Sequence, residues 1–309
     1  MSSSDEPKQG SAPRPDPKHG AGTSKPRAKG TLQSGLYVTG VPIGNAKDIT
    51  LRALEVLRGA DAIAAEDTRV TARLLSMHAI AGKLVSYREG NAARAIPALL
   101  ARLGRGEAVA LVTDAGTPHV SDPGGPLVAA AAAEGHRIFA IPGPSALTAA
   151  LSISGLTAQR TLFAGFLPAA ASARRAELTA LKPLDAALVF FEAPHRIAET
   201  LADLAAVLGD RPAVICRELT KLHEEARRGT LAALAEAALG DPNLQRGEIV
   251  IVVAPGKAEN PADAEAALDA ALGKALATMR VKDAADAVAG ALNLPRRTVY
   301  ARALELKGG

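Results

Sequence analysis

The chain has 309 residues, 48% of them apolar and 22% charged, with a net charge of +4. That is enough length for two ordinary domains and enough apolar content for a sizeable core. A single cysteine, Cys216, excludes an internal disulfide, six scattered histidines argue against a metal site, and no apolar run reaches the ~18 residues of a membrane span.

Residues 1–34 lack apolar periodicity and read as a disordered basic leader, with six basic and three acidic residues. The leader has no apolar h-region, so it is not a secretory signal. With the cysteine usage, this predicts a cytoplasmic protein. The leader's charge suits an anionic partner, and a purely solubilising segment would look the same.

Order should begin near Leu36. Short β-branched or apolar runs, at Leu36–Val41, Asp61–Ala65, Leu84–Tyr87, Ala108–Thr113 and Arg137–Ile141, alternate with helical patterns near 50–58, 68–77, 91–104 and 124–134. Such alternation predicts βαβ units, and so an α/β fold with helices on both faces of a parallel sheet. Ala108–Val112 is apolar throughout, as a strand buried on both faces would be. Thr50 is placed to cap the helix that follows it.

A second set of strands is expected at Thr161–Gly165, Ala186–Phe191, Ala213–Arg217 and Glu248–Ala254, with helices near 172–182, 196–208 and 230–239. The expected domains are therefore 35–150 and 151–258, joined through Pro142-Gly143-Pro144 and the helix after it. Residues 262–309 change to helical periodicity broken at Asn293-Leu294-Pro295, which suits a helix-turn-helix-like extension. Its last helix opens on Arg296 and Arg297, where a recognition helix would meet phosphate, although a small helical cap would share the pattern.

In open α/β sheets, ligands bind beyond the carboxyl ends of the strands. Four such ends here are dense in Gly, Pro, Asp and Thr: Val41-Pro42-Ile43-Gly44-Asn45, Glu66-Asp67-Thr68-Arg69, Thr113-Asp114-Ala115-Gly116-Thr117-Pro118 running on to Ser121-Asp122-Pro123-Gly124, and Pro142-Gly143-Pro144-Ser145. Each alone is a tight turn. Together on neighbouring strands they predict the rim of one pocket. The sequence contains no dinucleotide fingerprint after the first strand, no P-loop and no nucleophile elbow.

These strand ends, with Gly165-Phe166-Leu167-Pro168, Glu192-Ala193-Pro194-His195-Arg196, Arg217-Glu218-Leu219-Thr220-Lys221 and Arg246-Gly247-Glu248, resemble the ribosomal RNA small subunit methyltransferase I family, a branch of the tetrapyrrole methylase superfamily. The resemblance covers roughly residues 35–305. It implies a two-domain class III methyltransferase fold with S-adenosyl-L-methionine in the interdomain cleft and a C-terminal helical extension. It also implies a homodimer that methylates the ribose 2′-hydroxyl of a decoding-centre cytidine in 16S rRNA, on the assembled 30S subunit. By position, Pro42, Ile43, Asp114, Thr117, Ser145 and Ala146 match cofactor-contacting positions, and Phe166 and Leu167 are expected to face the cleft. The first loop departs from the glycine-rich form of many tetrapyrrole methylases, which points away from a porphyrin substrate.

Transfer of a methyl group to a ribose hydroxyl calls for in-line positioning and for a proton acceptor. Glu66, Asp67, Glu192, His195, Glu218 and Lys221 are the candidate catalytic groups, with none singled out as the base. Arg69, Arg196 and Arg217, with Arg296 and Arg297 of the extension, are the candidate RNA contacts. Internal ion pairing is an equal reading of the Asp67/Arg69 and Glu218/Lys221 sets. With aromatic residues at only 3%, recognition should rest on shape and phosphates, without a base-stacking platform.

Overall fold

The structure, a computed structural model, describes residues 32–256, 261–292 and 294–308. Nearly all of the expected leader, and Asn293 of the expected break, lie outside the described residues.

The first lobe runs β1 (Gly35–Thr39), α1 (Leu51–Gly59), β2 (Ala62–Ala65), α2 (Thr68–Met77), β3 (Leu84–Ser86), α3 (Ala92–Gly104), β4 (Ala108–Val112), α4 (Gly125–Ala133) and β5 (Ile138–Ile141). Its five strands are all parallel, in the order β3-β2-β4-β1-β5. The apolar run of β4 explains its central place. Ala108, Ala110 and Val112 pack with Leu57, Ile63 and Leu75 on one face, while Val109 and Leu111 pack with Leu36, Leu99 and Leu127 on the other. A strand that is apolar at every position is stable only where both faces are covered. Parallel strands also bring all five carboxyl ends to one edge of the lobe, which is where the turn-rich segments lie.

Thr50 caps α1, its hydroxyl accepting from the Ala53 backbone N–H at 3.1 Å. Thr50→Ala should cost about 1 kcal/mol of stability and leave the fold intact. Thermal melting of the variant checks this, and an unchanged melting temperature would contradict it.

The second lobe runs α5 (Ala146–Ser154), β6 (Thr161–Phe166), α6 (Ala171–Leu181), β7 (Ala187–Glu192), α7 (Ile197–Leu208), β8 (Pro212–Arg217), β9 (Glu225–Thr230), α8 (Leu231–Ala238) and β10 (Ile249–Val253). The sheet order is β6-β7-β10-β8-β9. Only β6 and β7 pair in parallel, and the other pairings are antiparallel. One face packs Leu188, Phe190, Ile215 and Ile251 against α6, α7 and α8. The other face, with Val189, Val214, Val250 and Val252, is covered by α5 and by Ile43 from the first lobe. The connecting helix α5 thus packs on the second sheet, and the first lobe's opening loop reaches across to it.

Strand β9 was not expected. Its sequence, Glu-Ala-Arg-Arg-Gly-Thr, is polar because it forms the sheet edge. Glu225 there binds Arg217 at 3.4 Å and Arg227 at 2.5 Å. Charged edges of this kind resist pairing with other chains.

The extension forms α9 (Pro261–Leu276), α10 (Val281–Leu292) and α11 (Arg296–Gly308). Leu272, Val288, Val299 and Ala303 are among the residues of its own small core.

Candidate active site

The first-lobe strand ends form the cleft, and hydrogen bonds lock them together. Val41 N–H donates to the Gly116 carbonyl at 2.8 Å, and Gly116 N–H returns a bond to the Val41 carbonyl at 3.2 Å. The Thr117 hydroxyl donates to the Pro144 carbonyl at 3.2 Å. The β1 and β5 loops cross at Gly40 and Gly143, where a Cβ on Gly143 would stand 2.8 Å from the Gly40 carbonyl group. Only a residue without a side chain permits that approach. The loops after β1, β4 and β5 therefore form a single rigid rim.

Two chambers open between this rim and the second lobe. The larger, about 360 Å³, has apolar walls from Ile43, Phe166, Phe191 and Val250, with Thr117 and Ser145 beside them. The Ser145 hydroxyl, at the N-terminus of α5, makes no capping bond to that helix. Phe166 and Phe191 meet edge to face at 5.7 Å. Asp122 and Glu248 add carboxylates to this chamber, whereas the Glu192 side chain is buried against Thr200. The smaller chamber, about 270 Å³, is lined in part by Pro42, Arg73, Asp114 and Lys221, and it shares Ile43, Ala115 and Glu248 with the first.

The acidic groups are arranged with care. The Asp114 carboxylate accepts from Asp67 N–H at 2.9 Å, and Asp114 N–H points to Glu66 at 3.5 Å. Burial, with the neighbouring Asp114 and Asp67 charges, raises Glu66 above the usual carboxylate range. Asp122 is pushed up to about 6 by burial and by repulsion from Glu66 and Asp114. Lys221 bridges Glu218 at 2.8 Å and Glu248 at 3.0 Å. Its ion pair holds Glu218 below the usual carboxylate range. Burial alone would lower Lys221, but the two carboxylates hold it above its ordinary value. Across the lobes, Asn45 N–H donates to the Thr220 hydroxyl at 3.2 Å.

The two chambers bring together Pro42, Ile43, Asp114, Thr117, Ser145, Ala146, Phe166 and Lys221. Leu167 is a correction. It is 2% exposed and sits in the helix-covered core of the second lobe. Successive residues of an extended segment point to opposite faces, so Phe166 and Leu167 cannot both face the cleft. Arg196 and Arg217 also turn inward. Arg196 donates to the Leu167 and Pro168 carbonyls at 2.8 and 3.0 Å, and Arg217 pairs with Glu225, its side chain 12% exposed.

Asp67 and Arg69 pair with each other at 2.6 Å on the surface. Glu218 stands behind Lys221, and His195 is exposed on the turn after β7, lining neither chamber. In the extension, Arg296 pairs with Asp286, and with Lys282, Arg297 and Tyr300 it lines a surface groove. Phe191, Arg73, Asp122 and Glu248 line the cleft without having been singled out from the sequence, and Glu192, one of the sequence candidates, turns its carboxylate inward to Thr200. Asp122 and Glu248 lie inside the quoted motifs, and that was the available signal.

A family model described as tetrapyrrole (corrin/porphyrin) methylases matches residues 35–235, and one described as the RsmI C-terminal HTH domain matches residues 262–307. A ribosomal RNA small subunit methyltransferase I from Mesorhizobium japonicum is 48% identical, the match covering 89% of this chain and 93% of the relative. The enzyme of the same name from Pseudomonas aeruginosa is 43% identical, over 88% of this chain and 98% of the relative. Among solved structures, a cobalt precorrin-4 methyltransferase superposes with a TM-score of 0.54 at 18% identity, covering 74% of this chain and 97% of its own. That likeness is one of fold. The lobes, the cleft and the sequence matches lead to one conclusion: the chain belongs to the tetrapyrrole methylase family, in its ribosomal RNA small subunit methyltransferase I branch.

Proposed function

We propose that this chain transfers a methyl group from S-adenosyl-L-methionine to the ribose 2′-hydroxyl of a decoding-centre cytidine in 16S rRNA, acting on the assembled 30S subunit. The coarser part follows from the family: the chain is a methyltransferase of small-subunit rRNA. The observation that carries the reading is the pair of joined chambers, one apolar and rimmed by carboxylates, the other carrying Arg73 and Lys221.

The residues present fit the cofactor. An aliphatic and aromatic wall under a negative rim suits a small molecule that is part apolar and part cationic. When bound, S-adenosyl-L-methionine supplies a methyl group on a sulfonium, an intrinsically good leaving group. Ile43, Phe166, Phe191 and Val250 would exclude water around it, and Thr117 and Ser145 would give it polar contacts. The hydrogen-bonded rim holds those groups in one arrangement, and much of the acceleration in such a reaction comes from alignment.

Arg73 in the second chamber suits phosphate, as does the groove of the extension with Lys282 and Arg297, whereas Lys221, Arg69 and Arg296 are held by carboxylates. A homodimer in the cytoplasm completes the reading. Among the described residues, no helix is long and apolar enough to cross a membrane.

The test is transfer of labelled methyl groups to 30S subunits from a strain lacking the enzyme, with the modified nucleotide mapped. One cytidine labelled on its ribose is the expected result. Label on a base would refute the 2′-O assignment. Equal labelling of protein-free 16S rRNA would refute the requirement for an assembled subunit.

A further inference from the structure

Methylation of a hydroxyl leaves a proton to be removed, and most carboxylates around the cleft already have partners. Glu192 accepts from the Thr200 hydroxyl at 2.5 Å and from Ala193 N–H at 2.7 Å. Glu218 and Glu248 hold Lys221. Asp67 holds Arg69, and Asp114 accepts from Asp67 N–H. Glu66 faces Asp114 N–H and lines neither chamber.

Asp122 differs from all of these. It lines the larger chamber, and among the described residues its carboxylate has no hydrogen-bond donor and no ion-pair partner. It is close enough to Asp114, which lines the smaller chamber, to be repelled by it. The two chambers share Ile43, Ala115 and Glu248, so a hydroxyl entering from the smaller one can approach the chamber that Asp122 lines. The loop that presents it is strained, with His119 at φ 74° and Ser121 at φ 62°. Left-handed backbone at such residues costs about 1–3 kcal/mol each and collects at functional sites.

We propose that Asp122 is the proton acceptor for the attacking 2′-hydroxyl, an assignment that rests on the rRNA reading above. As the ribose oxygen forms its bond to the methyl carbon, the sulfur–methyl bond breaks and its electron pair stays on sulfur. The hydroxyl proton passes to an Asp122 oxygen. The products are the 2′-O-methyl ribose, the neutral thioether and a neutral Asp122, which then loses its proton to water.

The charged groups facing Asp122 are Glu66 and Asp114, with Glu248 on the same chamber and His119 on its own loop. With its proton affinity raised to about 6, the carboxylate is still ionised at neutral pH and is a stronger base than an ordinary aspartate. Activity should therefore rise with pH through about 6 and level off above it.

The experiment compares wild type, Asp122→Asn and Asp122→Glu with 30S subunits across that pH range. It adds calorimetry of S-adenosyl-L-methionine binding and a carboxyl-carbon NMR titration of the wild-type protein. D122N should lose roughly 100-fold in kcat and lose the inflection, its cofactor affinity falling far less than its kcat, with D122E recovering part of the rate. An Asp122 carboxyl that titrates at the ordinary aspartate value overturns the proposal, even if D122N fails to fold. So does a D122N enzyme with wild-type kcat or an unchanged inflection. Wild-type protein that leaves 30S subunits unlabelled overturns the parent reading and this assignment together, whereas active wild type with active D122N overturns the assignment alone.

Discussion

Replacing Asp203 by alanine should lower the melting temperature by roughly 10 °C, the effect of losing one side of a buried ion pair worth about 3–5 kcal/mol on removal of a partner. Asp203 of α7 binds Arg174 of α6 through Nε at 2.6 Å and Arg175 through Nε at 2.6 Å. Arg174 is 2% exposed and also donates to the Ala169 carbonyl at 3.1 Å. Without Asp203, the Arg174 guanidinium would stay buried with only the more distant Glu199, at 3.7 Å, to offset its charge. Scanning calorimetry gives the comparison.

A double variant, Arg174→Met with Asp203→Leu, should recover much of the loss, because replacing both partners leaves no orphaned charge. The effect should also depend on pH. Burial alone would raise Asp203, but the two guanidiniums hold it below the ordinary carboxylate value. Its stabilising contribution is therefore full above that ordinary value and fades as pH falls towards the lowered one. The gap between wild type and D203A should narrow in acid. A D203A melting point equal to wild type at neutral pH would contradict the account.

Gly143→Val should abolish measurable methyl transfer and weaken cofactor binding by about 100-fold or more, the scale expected when a rim moves by an ångström. A side chain at this position would meet the Gly40 carbonyl carbon and oxygen at 2.8 Å, and backbone cannot swing aside as a side-chain tip can. The β1 and β5 loops must separate, which pulls Ile43 away from Ser145 and Ala146 across the larger chamber. Calorimetry with S-adenosyl-L-methionine reads the effect directly, and circular dichroism verifies that both sheets persist. Wild-type affinity in G143V would show that the crossing does not shape the cleft.

The parallel sheet was legible because its physics is local. β4 announces itself by an unbroken apolar run, and the turn residues at the strand ends mark where a ligand would sit. The polar edge strand β9 could not be found in this way, since it earns its place through partners such as Arg217 and not through apolar periodicity. Motif membership also could not tell inward from outward. Phe166 and Leu167 are neighbours in sequence and point to opposite sides of the chain. Arg196 looked like a phosphate anchor, yet its guanidinium ties down the carbonyls just after β6. Asp122 went unassigned because what distinguishes it is the absence of a partner, which only the folded arrangement reveals.

The crossover at Pro142-Gly143-Pro144 bears on how the two lobes move. Proline fixes φ on either side of Gly143, and the Thr117 hydroxyl grips the Pro144 carbonyl. The crossover is thereby stiffened, and any relative movement of the lobes has to come from elsewhere in the chain. A stiff crossover favours discrimination by outline, in which the fit of a large partner's surface against the cleft mouth decides what enters.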